Sequence, residues 1–198
     1  MNLIIAVVQA LWIILPAYAA NASAVIVGGG KPIDGGRIWK DGRRVLGDGK
    51  TWNGLFAGTF MGMTVGFTLA FVARYLDLNS LNIFGLNDFG GFPLMLPIIF
   101  SICFGGLCGD IIESFFKRRA GKKRGEDWYG FDQLDFVFGA LLFSFITSAL
   151  IHFLTGENWF LESIKTEHII MVVIITPFLH ILANKIYKKT KKLNKNRS

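Results

Sequence analysis

The sequence predicts an all-α polytopic membrane protein that crosses the bilayer with five transmembrane helices. Of its 198 residues, 52% are hydrophobic, and the mean hydropathy of +0.46 exceeds that of an ordinary soluble domain. The apolar residues are gathered into runs of roughly 20, the length at which a helix crosses the hydrocarbon core. Because these runs leave little chain for a soluble domain, we expect one membrane domain over residues 1–198. The predicted spans are about 2–27, 53–76, 92–112, 134–155 and 168–186.

The first span has a second interpretation, as a cleaved signal peptide. The stretch Ala19–Ala24 is rich in the small residues found at signal-peptide cleavage sites. The basic residues that usually precede the apolar core of a signal peptide are missing, however. Cleavage would also place the following basic loop outside the cell. We therefore expect an uncleaved helix.

The second and third spans carry glycines at every fourth position. This spacing favours close packing between membrane helices. The alternative is a groove that a lipid chain or a phosphate can approach. The repeated glycines are Gly54, Gly58, Gly62 and Gly66, followed by Gly105 and Gly109.

The distribution of positive charge predicts how the chain is oriented. The net charge is +7, and 19 of the 21 Lys and Arg residues fall in loops 28–52 and 113–131 and in the tail from Lys185. With five spans, these segments lie on the same side of the membrane. By the positive-inside rule this side is cytoplasmic, so the N-terminus should lie outside and the C-terminus inside. The sequence thus predicts a multi-pass cell-membrane protein with two functional cytoplasmic loops.

Charged residues near the cytoplasmic end of the third span are candidates for function, because charge within a bilayer is costly. Asp110, Ser114 and Lys117 share one helix face through their i, i+4, i+7 spacing. Glu113 lies four residues before Lys117, which favours an ordinary surface ion pair. Asp110 has an alternative interpretation, as a charge at the helix edge that pairs with a nearby arginine.

Two more carboxylates, Asp132 and Asp135, stand at the start of the fourth span, three residues apart on one face. They suit Mg²⁺, which binds one or two carboxylates together with phosphate oxygens. The alternative is that the helix dipole favours acidic residues at a helix start. This alternative explains Asp132 better than Asp135, which already enters the lipid.

The first basic loop ends in Gly49-Lys50-Thr51, which resembles the end of a nucleotide-binding P-loop. A P-loop requires a glycine where this chain has Arg44, and it requires a buried strand before the loop. We therefore expect a glycine-rich loop of another kind, whose backbone N–H groups approach phosphate oxygens. The predicted substrate-binding residues at this membrane surface are Asn21, Arg43, Arg44, Gly47, Asp48, Gly49, Lys50, Thr51, Asn53, Arg118 and Arg124.

Carboxylates, basic side chains and glycines at one membrane face are suited to phosphoryl or nucleotidyl transfer on a membrane-bound substrate. A lipid or ion transporter is an alternative, but it would not explain two loops that combine carboxylates with basic residues. A CDP-alcohol phosphotransferase is another, although its D-G-x-x-A-R motif is reduced here to a fragment at Asp41–Arg44. Neither a nucleic acid nor a protein partner is implied.

Two motifs resemble those of a known family. The run GD-x-x-ES-x-x-KR at Gly109–Arg118, followed by the D-x-x-D of Asp132 and Asp135, resembles the signature of the CTP:phosphatidate cytidylyltransferases. The glycine-rich first loop resembles a narrower group, the archaeal CDP-archaeol synthases, and the resemblance covers essentially the whole chain. The sequence departs from the bacterial and eukaryotic pattern at Gln133, where those relatives have arginine.

The resemblance implies a nucleotidyltransferase that converts CTP and an isoprenoid ether-lipid phosphate, unsaturated archaetidic acid, into CDP-archaeol and pyrophosphate. It implies Mg²⁺ as the cofactor, held by Asp110, Asp132 and Asp135. The implied partners are CTP, the ether-lipid phosphate and the surrounding membrane lipids. The implied catalytic residues are Asp110, Ser114, Lys117, Asp132 and Asp135.

Overall fold

The computed structural model describes residues 2–122, 126, 128 and 130–195. Within them, four helices are long and apolar enough to cross a membrane: α1 (Leu3–Val27), α2 (Trp52–Leu78), α3 (Met95–Arg119) and α4 (Phe131–Thr155). A short helix, α5 (Trp159–Ser163), leads into α6 (Thr166–Lys195), which contains a shorter apolar helix over Thr166–Leu179. The predicted all-α fold is therefore confirmed, with four apolar helices of spanning length, and the assignment of the shorter apolar helix as the fifth span stays a prediction.

The length of the spans leaves their ends outside the hydrocarbon core. Helices α1 to α4 have 25 or 27 residues each. At 1.5 Å per residue, 25 residues extend about 37 Å, whereas the hydrocarbon core is about 30 Å thick. The last turn of α3, with its run of basic residues Lys117–Arg119, can therefore reach the polar surface while the helix continues unbroken.

The third and fourth spans differ from their predicted limits of 92–112 and 134–155. Helix α3 begins later, at Met95, because Gly90 and Gly91 adopt positive φ and a proline follows at position 93. It continues to Arg119, since basic residues suit the negative end of the helix dipole. Helix α4 begins at Phe131, directly after a glycine with φ of 87°. The charged motifs thus lie on regular helices.

The glycine stripe of α2 packs against α1 and α3. A side-chain Cβ at Gly58 would lie 2.9 Å from the carbonyl oxygen of Ala20, and one at Gly62 would lie 2.7 Å from that of Pro16. A Cβ at Gly62 would also lie 2.9 Å from the sulfur of Cys103. The glycines therefore allow close helix packing, which is the first of the two predicted interpretations. At these positions the neighbouring helices occupy the space that a groove would need.

Helices α3 and α4 touch through their backbones. A Cβ at Gly109 would overlap the carbonyl group of Asp135, and one at Gly139 would overlap the carbonyl oxygen of Gly105. Only glycine lets two helices approach this closely. The contact brings the beginning of α4 against the charged end of α3, which positions the site described below.

The opposite end of the bundle is held by hydrogen bonds around Asn87, in the loop between α2 and α3. Its side chain accepts from Trp159 Nε1 at 2.9 Å and donates to Ser163 Oγ at 2.8 Å. Its backbone carbonyl accepts from Trp12 Nε1 at 2.9 Å. These bonds connect α1, α5 and the loop.

Candidate active site

The ends of α1, α3 and α4 and the first loop (residues 28–51) surround a cleft of about 460 Å³. Every predicted site residue lines this cleft except Arg43, Thr51, Asn53 and Arg124. Its walls also contain Val25, Leu46 and Glu113, which are not among the predicted residues. The structure therefore brings the two predicted functional regions together in one space.

Three carboxylates meet where α3 contacts α4. Asp110 and Glu113 are one turn apart on α3, and Asp135 comes from the second turn of α4. One oxygen of each lies within 4.8 Å of the others. Glu113 is only 9% exposed, and its Oε1 accepts no hydrogen bond from any described residue. A set of oxygen ligands with an unused buried acceptor fits a hard cation such as Mg²⁺.

Asp132 has a different partner, the ammonium group of Lys117. Both carboxylate oxygens accept from Lys117 Nζ at 2.7 Å, and one of them also accepts from the backbone N–H of Trp128 at 2.9 Å. Lys117 is buried, so this pairing offsets the cost of placing its charge inside the protein. The same ammonium is 3.8 Å from Glu113, too far for a hydrogen bond. The predicted pair of Glu113 and Lys117 is therefore present at ion-pair distance, but its interpretation as a surface pair is wrong, because both side chains are buried.

Lys50 connects the first loop to the acidic cluster. Its Nζ donates to Asp110 Oδ2 at 2.5 Å, and both side chains are 22% exposed. The pair is charge-assisted and short, which makes it stronger than a bond between neutral groups. Lys50 and Lys117 thus bring two ammonium groups, one from the first loop and one from α3, close to the carboxylates.

Asp34 organises the turn that carries the basic residues of the first loop. Its side chain is fully buried. It accepts from the backbone N–H groups of Gly36, Leu46 and Gly47 at 3.0–3.1 Å and from the Arg44 guanidinium at 2.8 Å. Burial by itself would raise the pKa of this carboxyl, but the Arg44 guanidinium and the backbone donors hold the pKa of Asp34 well below its usual range. Asp34 therefore stays ionised and keeps Arg44 at the edge of the cleft.

Arg43 and Arg119 attach the first loop to the end of α3. Arg43 Nη1 donates to the backbone carbonyl of Arg119 at 2.7 Å, and Arg119 Nε lies 3.1 Å from a carboxylate oxygen of Asp41. The Arg119 guanidinium also lies 5.0 Å from the ring centroid of Phe115 and 5.8 Å from that of Trp39. These contacts hold the loop beside the cleft.

Four predicted substrate-binding residues are not brought to the cleft. Arg43 is turned toward α3, as just described. Thr51 caps the start of α2, where its hydroxyl accepts from the N–H of Gly54 at 3.1 Å, and it lines a side recess of about 60 Å³. Asn53 is exposed on α2. Arg124 lies outside the described residues.

The spacing of residues along the chain did not identify Glu113 and Asp34 as functional residues. Glu113 belongs to the GD-x-x-ES motif, so the motif, rather than its relation to Lys117, is the signal that could have identified it. Asp34 precedes Gly35 and Gly36, a pattern typical of a turn in which aspartate binds backbone N–H groups. That pattern predicts a turn, but it does not predict which distant residues the carboxylate accepts from.

Comparison with known proteins connects this geometry to a family. A sequence model described as CDP-archaeol synthase (CarS-like) matches residues 1–194. The chain belongs to the CDP-archaeol synthase family. Both motifs from which the family was predicted, the GD-x-x-ES-x-x-KR run and the first loop, line the cleft. The predicted family and the predicted enzyme class, a nucleotidyltransferase, are confirmed.

Relatives within the CDP-archaeol synthase family match nearly the full chain. The enzymes of Methanosarcina barkeri and Thermococcus kodakarensis are 43% and 41% identical over 173 and 175 residues. The matches cover 86% and 88% of this chain and 92% and 87% of those proteins. A solved structure, "Structural insight into an intramembrane enzyme for archaeal membrane lipids biosynthesis", is 34% identical with a TM-score of 0.64 and covers 90% of this chain and 94% of that one. These similarities support a multi-pass membrane enzyme.

Proposed function

We propose that the cleft is the active site in which CTP and unsaturated archaetidic acid form CDP-archaeol and pyrophosphate. One observation supports this proposal. Three carboxylates and the cationic side chains of the first loop and α3 lie together in one cleft at one end of the bundle. Cationic groups attract the phosphates of both substrates, and the carboxylates suit a divalent ion that CTP carries. The family gives the same reaction class.

In this reaction a phosphate oxygen of the lipid attacks the α-phosphorus of CTP. The bond from that phosphorus to the oxygen bridging to the β-phosphate breaks, and pyrophosphate leaves with the bonding electrons. The second pKa of a phosphate monoester is about 6, so the nucleophile is largely ionised near neutral pH and needs no strong general base. The protein must hold two anions in line and offset their repulsion.

The basic groups of the cleft perform that task in our proposal. Lys50 and Arg44 would bind the nucleotide phosphates from the first loop, together with the backbone N–H groups of Gly47 and Gly49. Lys117 would face the reacting phosphates from α3. The remaining proposed contacts are Ser114 as a hydrogen-bond donor, Arg118 at a phosphate, and Asn21 and Asp48 at the rim of the cleft.

Asp110, Glu113 and Asp135 would hold Mg²⁺. The ion would neutralise phosphate charge and make the α-phosphorus more electrophilic. This set differs in one member from the predicted set of Asp110, Asp132 and Asp135. Glu113 has the unused oxygen, whereas Asp132 is occupied by Lys117 and would orient that lysine.

The cleft would face the cytoplasm, where CTP is found. The basic residues of the first loop and of the end of α3 surround it, and such residues are retained on the cytoplasmic side of membrane proteins. The lipid substrate is already in the membrane, so the reaction would take place at the cytoplasmic surface of the bilayer.

The test is to incubate the purified protein in detergent with CTP, Mg²⁺ and an ether-linked lipid phosphate. Pyrophosphate and the CDP-lipid should form in equal amounts. Glu113→Gln should lower the rate at least about 100-fold, as removal of a main electrostatic group does. Glu162→Gln, at the exposed opposite end of the molecule, is the matched control and should leave the rate unchanged.

Other products would contradict the proposal. Release of CMP from a CDP-lipid and an alcohol would indicate a CDP-alcohol phosphotransferase. Movement of lipid or ions without nucleotide turnover would indicate a transporter.

A further inference from the structure

The first loop contains an exposed hairpin, residues 37–45, that the proposed reaction does not use. The chain turns back on itself there, because the N–H of Trp39 donates to the Arg43 carbonyl at 2.7 Å. Near the turn, Ile38 and Trp39 are 66% and 45% exposed, and neither lines the cleft. Two large apolar residues side by side on an exposed loop indicate a contact surface.

The exposed hairpin rests on the side of α3 that points away from the cleft. The Trp39 ring lies edge-on to the Phe115 ring, with 5.4 Å between their centroids. Phe115 is two residues from Glu113 and two residues from Lys117, both of which line the cleft. Residues two apart point to different faces of a helix. The hairpin is therefore on the outside of the bundle, where α3 borders the lipid.

Trp39 lies near the level of the membrane surface. Helices α2 and α3 are level where Gly58 approaches Leu107, since a Cβ on the glycine would lie 3.2 Å from the leucine side chain. From that contact, Trp52 lies six residues and Phe115 eight residues toward the same end of the bundle, which is about 9 Å and about 12 Å at 1.5 Å per residue. Trp52 is the first residue of α2 and is 44% exposed, as is typical of tryptophans at a membrane–water interface. Phe115, and with it Trp39, is thus within a helical turn of that interface.

The charges of the exposed hairpin fit an anionic lipid surface. Arg37 and Lys40 flank the two apolar residues, and neither forms an ion pair with a described residue. The acidic residue of the turn, Asp41, is paired with Arg119, so its charge is offset. Basic side chains beside a bilayer attract anionic headgroups. A protein partner would have to displace the lipid that surrounds α3 to reach the same surface.

We propose that the exposed hairpin is a membrane anchor for the first loop. Ile38 and Trp39 enter the headgroup region of the bilayer, and Arg37 and Lys40 bind the phosphates of anionic membrane lipids there. The surface holds bulk membrane lipid and is separate from the cleft. The anchor fixes the outer edge of the loop, whereas the ion pair of Lys50 fixes its inner edge.

The depth of Trp39 tests this proposal in the full-length protein reconstituted in lipid nanodiscs. Trp39→Phe keeps an aromatic ring against Phe115, and the fluorescence lost between the wild-type protein and this variant isolates the signal of Trp39. Lipids brominated in the upper part of their chains should quench that signal, and iodide, which stays in water, should quench it little. Trp52→Phe, treated in the same way, is the matched control and gives the pattern of an interfacial tryptophan.

A second comparison tests the role of the basic residues. As a minor component in neutral lipid, a brominated anionic lipid should quench the Trp39 signal more than the same amount of a brominated neutral lipid. The local enrichment should approach about fivefold for each basic residue. Arg37→Gln combined with Lys40→Gln should abolish this difference. Lys165→Gln, at an exposed position in the loop before α6, removes a charge elsewhere and should preserve it.

Two results would overturn the anchor. Quenching of Trp39 by iodide but not by brominated lipid would place the exposed hairpin in water, free to contact a protein partner. Equal quenching by the two brominated lipids in the wild-type protein would show that the basic residues bind no anionic lipid.

A further measurement uses the wild-type protein and does not depend on how a variant folds. An anionic lipid with a photoreactive group in its headgroup should label residues 37–45. Labelling that spares this segment while it reaches other loops would contradict the proposal. None of these measurements involves CTP, so their outcome is independent of the proposed function.

Discussion

Replacing Asp135 with asparagine should stabilise the metal-free protein while removing most of its turnover. Among the described residues, the Asp135 carboxylate accepts one hydrogen bond, from the backbone N–H of Phe136 at 2.6 Å. No described lysine or arginine forms an ion pair with it. Oxygens of Asp110 and Glu113 lie within 4.8 Å, and these two carboxylates repel it when all three are ionised.

The size of this repulsion follows from the geometry. The oxygens lie within 4.8 Å of one another, and at that separation two unit charges repel by about 3.5 kcal/mol at an effective dielectric constant of about 20. The net repulsion is smaller, because Lys50 neutralises Asp110, side chains rotate apart and water enters the cleft. We therefore expect Asp135→Asn to raise the free energy of unfolding by about 1–2 kcal/mol in the absence of metal. For a protein of this size, each kcal/mol corresponds to about 2–4 °C in Tm.

Asp132→Asn is the matched control, since it makes the same chemical change three residues earlier on α4. It removes the partner of the buried Lys117, which should cost about 3–5 kcal/mol. The two variants should therefore shift Tm in opposite directions in EDTA, although both lose at least about 100-fold in turnover.

The assay is thermal unfolding in detergent, with EDTA and with Mg²⁺, alongside pyrophosphate release. Mg²⁺ should raise the Tm of the wild-type protein, because a ligand that binds the folded state stabilises it, and should raise that of Asp135→Asn much less. If Asp135→Asn unfolds below the wild-type protein in EDTA and keeps its turnover, the carboxylate supports the fold. The metal would then have to be assigned to other residues.

Three further predictions concern the first loop and the orientation. Lys50→Ala should weaken CTP binding at least about tenfold, since a hydrogen bond to a charged group contributes about 1.5–3 kcal/mol. Lys40→Ala, at an exposed position of the same loop, should leave the affinity for CTP unchanged. If calorimetry gives Lys50→Ala the same affinity for CTP as the wild-type protein, the loop is only a spacer. Asp34→Asn should also weaken CTP binding. Because the folded pKa of Asp34 is depressed, its contribution is complete above the unfolded pKa of about 3.9 and is lost only as the pH falls through the folded value. The ratio of mutant to wild-type Kd should therefore be constant from about pH 5.5 to 8, and a change within that window would contradict the assignment. Accessibility tags in loop 113–131 and at the C-terminus should be reached only from the cytoplasm, and a tag in loop 77–91 only from outside; the reverse result would overturn the orientation.

The sequence predicted the helices well, because a long apolar run in a membrane protein has few possible structures other than a transmembrane helix. It predicted most of the residues that share the cleft, because both motifs are long and lie at the ends of predicted helices. Its helix limits were less accurate around Asp132 and Gln133, because polar residues look like a loop by composition. Their partners in the folded protein, Lys117 and the N–H of Gly130, allow them to begin a helix.

What the sequence did not predict depends on contacts between distant segments. Glu113 looks like a surface residue until α4 packs beside it, and that packing depends on the glycine contact at Gly109. Arg43 and Arg44 are neighbours of the same chemical type, yet one turns to α3 and the other to the cleft. The Asp34 carboxylate holds Arg44 at the cleft by accepting hydrogen bonds from its guanidinium. This contact spans ten residues, and no periodic pattern in the sequence reveals it.

The ion pairs in the cleft have a consequence for selectivity against small anions. Lys50 and Lys117 are already bound by Asp110 and Asp132 at 2.5 and 2.7 Å. Inorganic phosphate, which is abundant in cells, must separate such a pair to bind and leaves a carboxylate without a counter-charge, a costly state in a partly buried place. In the proposed function, a metal-bound triphosphate would supply a new partner for each side at once, because its oxygens would accept from the lysines while its cation would pair with the carboxylates. In the proposed mechanism, these internal salt bridges would therefore lower the affinity of the cleft for free phosphate.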